Sequence, residues 1–159
     1  MPTSQQFEEA KAIVRGFTLL ALATGAVPVP AASAAIALEN TVLFAAVGGA
    51  LGAEVTVASV LTSIGTLGTL NLAGRALFME GAKLLGWATG PFGLPAVCAL
   101  GAATAAGQTW ALGQLAIAIA RNGGIPLPVA EARHILARAD TDFAAGTWRE
   151  GRVVRAKVR

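Results

Sequence analysis

The chain has 159 residues, 55% of them hydrophobic and only 13% charged, about half the charged share of an ordinary soluble domain. With a mean hydropathy of +0.64 and a net charge of +3, it reads as one domain that lies in or on a membrane or is buried by partners. The single Cys98 excludes a disulfide within the chain and a cysteine-built metal site, and the single His134 excludes a histidine cluster, so no metal or cofactor is expected.

The sequence predicts an all-α fold, a compact bundle of about five helices. The first helix is expected from Ser4 to Thr24, with Thr3 and Gln6 at capping-box spacing. Phe7, Ala10, Ile13, Val14 and Phe17 recur at helical spacing, and "FTLLALA" after them is apolar all round. The opening carries two acids before its first base, unlike a secretory signal, and reads as an intracellular start.

No charge falls between Gly16 and Leu38, a run long enough for a membrane-crossing helix of ~20 residues. Pro28 and Pro30 interrupt it. Each lacks an amide hydrogen and pushes the residue before it out of helical angles, and Gly25 suits a helix C-cap. Gly25, Pro28 and Pro30 therefore predict a turn between two helices, not a single span.

A second helix is expected from Ala31 to about Val47, ended by "GGALG". The alternative there is a close-packing face of Gly48 and Gly52 inside a continuous helix. Glu54 to about Leu85 reads as the third helix, with a charge-free first half and an amphipathic second half. In that second half Glu80 and Lys83 stand three apart. "GWATGPFGLP" is the clearest loop.

The fourth helix, about Leu94 to Arg121, carries Ala99, Ala103, Gly107 and Ala111 at spacing four, with Ala102 and Ala106 beside them. Small residues let backbones approach, which makes this the candidate central helix. A final amphipathic helix is expected within residues 128–146, with Val129, Ala132, Leu136, Ala139 and Phe143 as its apolar stripe. It either docks on the body or lies on a membrane surface. In this division residues 1–148 form one helical domain with an apolar body over 16–121, and 149–159 form a basic tail. Arg149, Arg152, Arg155, Lys157 and Arg159 of the tail suit anionic lipid headgroups. The tail has no aromatic spacing, which disfavours nucleic acid as the partner.

Catalytic chemistry is hard to place. Phosphate-binding loops and nucleophile elbows are missing from the sequence, and His134 reads as a surface or boundary residue. Glu39, Glu54 and Glu80 are isolated acids in apolar surroundings. Such acids suggest function, or capping and pairing near helix ends, with Arg75 or Lys83 as a partner for Glu39. Trp87 and Trp148 flank apolar segments, as interfacial anchors or ordinary core tryptophans would.

Two stretches, "PVPAASAAIALENTVLFAAVGGALG" and "AGQTWALG", resemble the YcjF-like family of unknown function. In that family a Pro-x-Pro turn opens a long apolar helix and a second small-residue segment recurs later. Here the second segment falls on Ala106, Gly107, Thr109, Ala111 and Gly113. The resemblance spans roughly Gly16 to Trp148. It departs where the family commonly has an acid, here Ser33, and where a glutamine is usual, near Thr41. The resemblance implies a helical module associated with the bacterial inner membrane, its C-terminus cytoplasmic, working with a GTPase. The expected function is thus non-catalytic anchoring or scaffolding of a partner, with membrane lipids and a protein partner or second copy as contacts. The alternatives are a membrane-inserting pore former and a soluble helical subunit of a larger assembly.

Overall fold

The computed structural model describes residues 2–29 and 32–149, which form helices and loops with no strand among them. The elements are α1 (Ser4–Ala26), α2 (Ala32–Leu51), α3 (Val57–Ala88), α4 (Leu94–Arg121) and α5 (Val129–Ala144), with short 3-10 turns at Gly90–Phe92 and Thr147–Arg149. Because α3 is two helices joined at a sharp bend, the bundle has six α-helical segments and not five.

Local chemistry sets most helix ends. Thr3 caps α1: the Gln6 N–H donates to Thr3 Oγ1 at 3.2 Å, and the Thr3 N–H donates to Gln6 Oε1 at 2.7 Å. Thr56 and Ser59 make the same reciprocal pair at the start of α3, three residues later than the sequence suggests, which leaves Glu54 exposed in the loop. Helix α1 stops before the prolines, with Val27 as its C-cap in an extended conformation. Gly25 is not that cap; it lies inside the helix, buried against α4. Pro30 lies outside the described residues.

Two glycine expectations are corrected. Helix α2 does not end at Gly48 but runs through both glycines to Leu51, and Gly52 at φ 70° turns the chain. The Ala53 N–H then donates to the Gly48 carbonyl at 2.9 Å, closing a Schellman cap. Helix α3 is not continuous. Gly65, at φ 68° and ψ 179°, adopts a conformation open essentially only to glycine, and Val57–Thr66 meets Gly68–Ala88 at 99°.

Helix α4 is the centre and touches α1, α2, α3 and α5. It runs antiparallel to α1, with Gly113 against Val14 at one end and Gly101 against Gly25 at the other. Ala10, Val14, Thr18 and Ala21 of α1 are fully buried along this seam. The close approach on α4 therefore uses Gly101, Ala105, Thr109 and Gly113, all buried. The predicted stripe is displaced from it: Ala99 and Ala103 are exposed, Gly107 packs under the Phe143 ring, and only Ala111 is buried.

The dense core lies at one end of the bundle. Leu43, Phe44, Val47, Leu51, Val60, Ile64, Leu115 and Ile119 fill it. Helix α5 docks on α4 there, with Trp148 between Trp110 (ring centroids 6.3 Å apart) and Phe143 (5.5 Å). Trp148 is thus a core residue and not an interfacial anchor. Ser63 joins the loop before α5 to this core, accepting the Leu127 N–H at 3.0 Å and donating to the Ser59 carbonyl at 2.7 Å.

Candidate functional site

The opposite end, built by the C-terminal half of α1, the N-terminal half of α2, the Gly68–Ala88 part of α3 and the start of α4, has its polarity reversed. Its outer faces carry Leu19, Leu20, Leu38, Leu70, Leu77, Phe78, Leu84, Leu85 and Trp87, all largely exposed. Leu77 is 75% exposed and Leu38 69%. Its inner faces carry polar and charged groups. Large apolar side chains exposed in this number at one end are of the kind that contact with a membrane or another protein would cover.

The inner polar groups pair across helices. Glu80 of α3 accepts the backbone N–H of Ser33 at 3.2 Å and the Ser33 hydroxyl through the same oxygen. Lys83, only 2% exposed, stands 3.6 Å from that oxygen and donates to the Val29 carbonyl at 3.3 Å. One turn on, the Trp87 indole N–H donates to the Pro28 carbonyl at 2.5 Å. The carbonyls of the proline turn draw donors from α3, the Lys83 ammonium at Val29 and the Trp87 indole at Pro28, while the Ala32 N–H at the start of α2 also donates to Val29 at 3.2 Å. Burying a lysine without an acceptor costs several kcal/mol, so Glu80 and Val29 together make its position tenable.

Glu39 pairs with neither Arg75 nor Lys83; it accepts the Thr24 hydroxyl of α1 at 2.6 Å. Ser33, where the resembled family commonly has an acid, instead meets the Glu80 carboxylate brought by α3. Thr41 is exposed and returns its hydroxyl to the Ala37 carbonyl. Of the second family-like segment, Ala106, Thr109, Ala111 and Gly113 are buried and Gly107 is half-buried, which makes it the packing face of α4 toward α1 and α5. His134 is exposed on α5, and Cys98 is half-buried.

At the opposite end, Arg149 lies over the Trp148 ring at 5.3 Å and Arg121 over Phe7 at 5.2 Å. Arg152, Arg155, Lys157 and Arg159 lie outside the described residues. Glu8 and Lys11 pair on α1, and the lysine ammonium holds the Glu8 carboxyl below its ordinary range. No group of three metal-ligating side chains occurs among the described residues.

Between α2, α3 and α4 lies a cavity of about 300 Å³. Ile36, Phe44, Val60, Leu61, Leu72, Ala76 and Leu112 give it apolar walls, and Asn40, Arg75, Thr104 and Gln108 give it polar points. Asn40 is 5% exposed, and its amide oxygen has no hydrogen-bond partner. The sequence signals Glu39–Asn40 as an interruption of an apolar helix, but not that Asn40 faces a cavity. That depends on the fold, since the α3 side of the cavity is lined from both sides of the bend at Gly65, by Val60 and Leu61 before it and Leu72 and Ala76 after it.

One helix, Ala32–Leu51, is long and apolar enough to cross a membrane, with mean hydropathy 1.6 and about a third of it buried in the bundle. Comparison with protein-family models, curated proteins and solved structures finds no match.

Proposed function

We propose that the chain is a non-catalytic, membrane-associated helical module whose apolar end enters a bilayer while its charged end anchors or scaffolds a partner. The reversed polarity of the α1–α2 and α3–α4 ends carries this reading: leucines and Phe78 outside, Glu39, Asn40, Glu80 and Lys83 inside. In water the favoured arrangement is the opposite, whereas in lipid exposed leucine costs nothing and polar groups turn inward to pair.

The depth of the apolar end supports entry from one side. From Phe17 to Val27, α1 rises about 15 Å at ~1.5 Å per residue, about half of a ~30 Å hydrocarbon core. This suits two hairpins dipping into one leaflet, with the proline turn's backbone satisfied by Lys83 and Trp87. Most charged residues, those of α1's first turns, Arg121 and α5, lie at the other end. A cytoplasmic C-terminus follows from the positive-inside tendency of the basic tail. By the resemblance to the YcjF-like family, the membrane is a bacterial inner membrane and the partner a GTPase.

Cell fractionation tests the reading. The chain should stay with membranes through high-salt and carbonate washes and leave them only in detergent. A monodisperse monomer in buffer overturns it. Recovery without detergent in a stoichiometric complex would favour a soluble subunit, and dye release from liposomes a pore former.

A further inference from the structure

We propose that the cavity between α2, α3 and α4 is a binding site for a single-chain anionic amphiphile, its alkyl chain inside and its anionic group on Arg75. Three observations meet there. The walls at Ile36, Phe44, Val60, Leu61 and Leu72 are apolar, and the volume of about 300 Å³ lies at the lower end of small-molecule sites.

The second observation is Arg75, an exposed rim residue with no carboxylate partner among the described residues. The other cation of the apolar end, Lys83, is answered within the protein by Glu80 and the Val29 carbonyl. An arginine on an otherwise apolar surface calls for a counter-charge, and its planar fork suits a carboxylate or a phosphate.

The third is Asn40, nearly fully buried on the cavity wall with its amide oxygen unpaired. An unmatched buried amide is costly and favours whatever can pair with it. A polar group at the head of the chain, or a water carried with it, is positioned to answer it beside Thr104 and Gln108.

Photo-cross-linking tests this on the full-length protein in phosphatidylcholine nanodiscs, using a fatty acid with a diazirine on its chain. The expected result is saturable labelling on peptides of α2 around Ile36–Phe44 and of α3 around Leu72–Met79. Excess unlabelled laurate and lysophosphatidate should both compete if the shared chemistry is an alkyl chain with any anion. Competition by one alone would identify the carboxylate or the phosphate source. Dodecanol, which lacks the anion, should compete poorly. Ala76→Leu, which fills the cavity, should lower labelling at least tenfold, and Arg75→Gln, an exposed change, should raise half-saturation about fivefold. Labelling that is unsaturable, confined to outer residues such as Leu77 and Leu84, and unmoved by both variants overturns the proposal. Repeating the labelling in buffer separates it from the membrane reading, since an occupied cavity labels the same peptides with or without a bilayer.

Discussion

Gly25 and Gly101 meet backbone to backbone where α1 crosses α4: a methyl group on Gly25 would stand 2.5 Å from the Gly101 carbonyl oxygen and 2.6 Å from the Ala105 Cβ. Neither neighbour is a flexible side chain that could move aside. Gly25→Ala and Gly101→Ala should each destabilise the protein by a net of about 1–2 kcal/mol, overpacking outweighing the gain in helix propensity. Gly16→Ala, exposed on the same helix with nothing near its Cβ position, should stabilise by about 0.5–1 kcal/mol. Denaturant titration of the three variants in mild detergent checks both signs.

Gly65 holds the bend of α3 at φ 68° and ψ 179°, with Val129 against it. Gly65→Ala should cost about 1–3 kcal/mol, because a side chain is strained in that backbone region whatever the space. Spin labels at the exposed Ala58 and Ala73 read the outcome structurally: a longer distance in the variant means that α3 has straightened.

Glu80→Gln should leave Lys83 buried without its counter-charge and lower stability by about 3 kcal/mol, the low end for a broken buried pair because Glu80 is partly exposed. The double variant Glu80→Gln/Lys83→Met should recover most of that loss, since it removes the stranded charge. A double-mutant cycle gives the coupling directly, and near-additive single and double effects would refute it.

Ser63→Ala removes the acceptor of the buried Leu127 N–H and should cost about 1–3 kcal/mol. Hydrogen exchange should speed up at Leu127, with the α1–α4 seam unchanged.

Leu77→Glu and Phe78→Glu alter side chains that are 75% and 65% exposed. Both should fold with native helix content in detergent yet lose flotation with liposomes. Unchanged flotation would mean that this face of α3 does not touch lipid.

Much of the helical layout was legible because it rests on local chemistry. Thr3 with Gln6 marks a helix start wherever the chain goes, and Pro28 ends a helix through its own missing hydrogen. Glycine was harder to read, because its effect depends on what lies opposite. Gly48 and Gly49 stay helical because Gly52 offers a cap one turn later and the Ala53–Val55 segment packs onto Gly48, whereas Gly65, in a similar small-residue context, breaks its helix. The α4 stripe was ambiguous for a related reason. Alanine and glycine occupy so many of its positions that spacing four fits several faces, and only contact with Val14 and Gly25 selects Gly101, Ala105, Thr109 and Gly113. Of the candidate site, the Glu80–Lys83 pair was visible as a local spacing. Ser33–Glu80 and Thr24–Glu39 join residues on different helices and depend on the fold.

The three tryptophans divide between the two ends of the bundle, and the protein thereby carries its own optical reporters. Trp110 and Trp148 are buried together in the charged end's core, close enough to exchange excitation, and sense only its packing. Trp87 is 59% exposed beside the proline turn at the apolar end, and senses whatever solvent bathes that end. A change of surroundings at the apolar end thus shifts one emission component and leaves the other still, so that burial and unfolding can be told apart without a label.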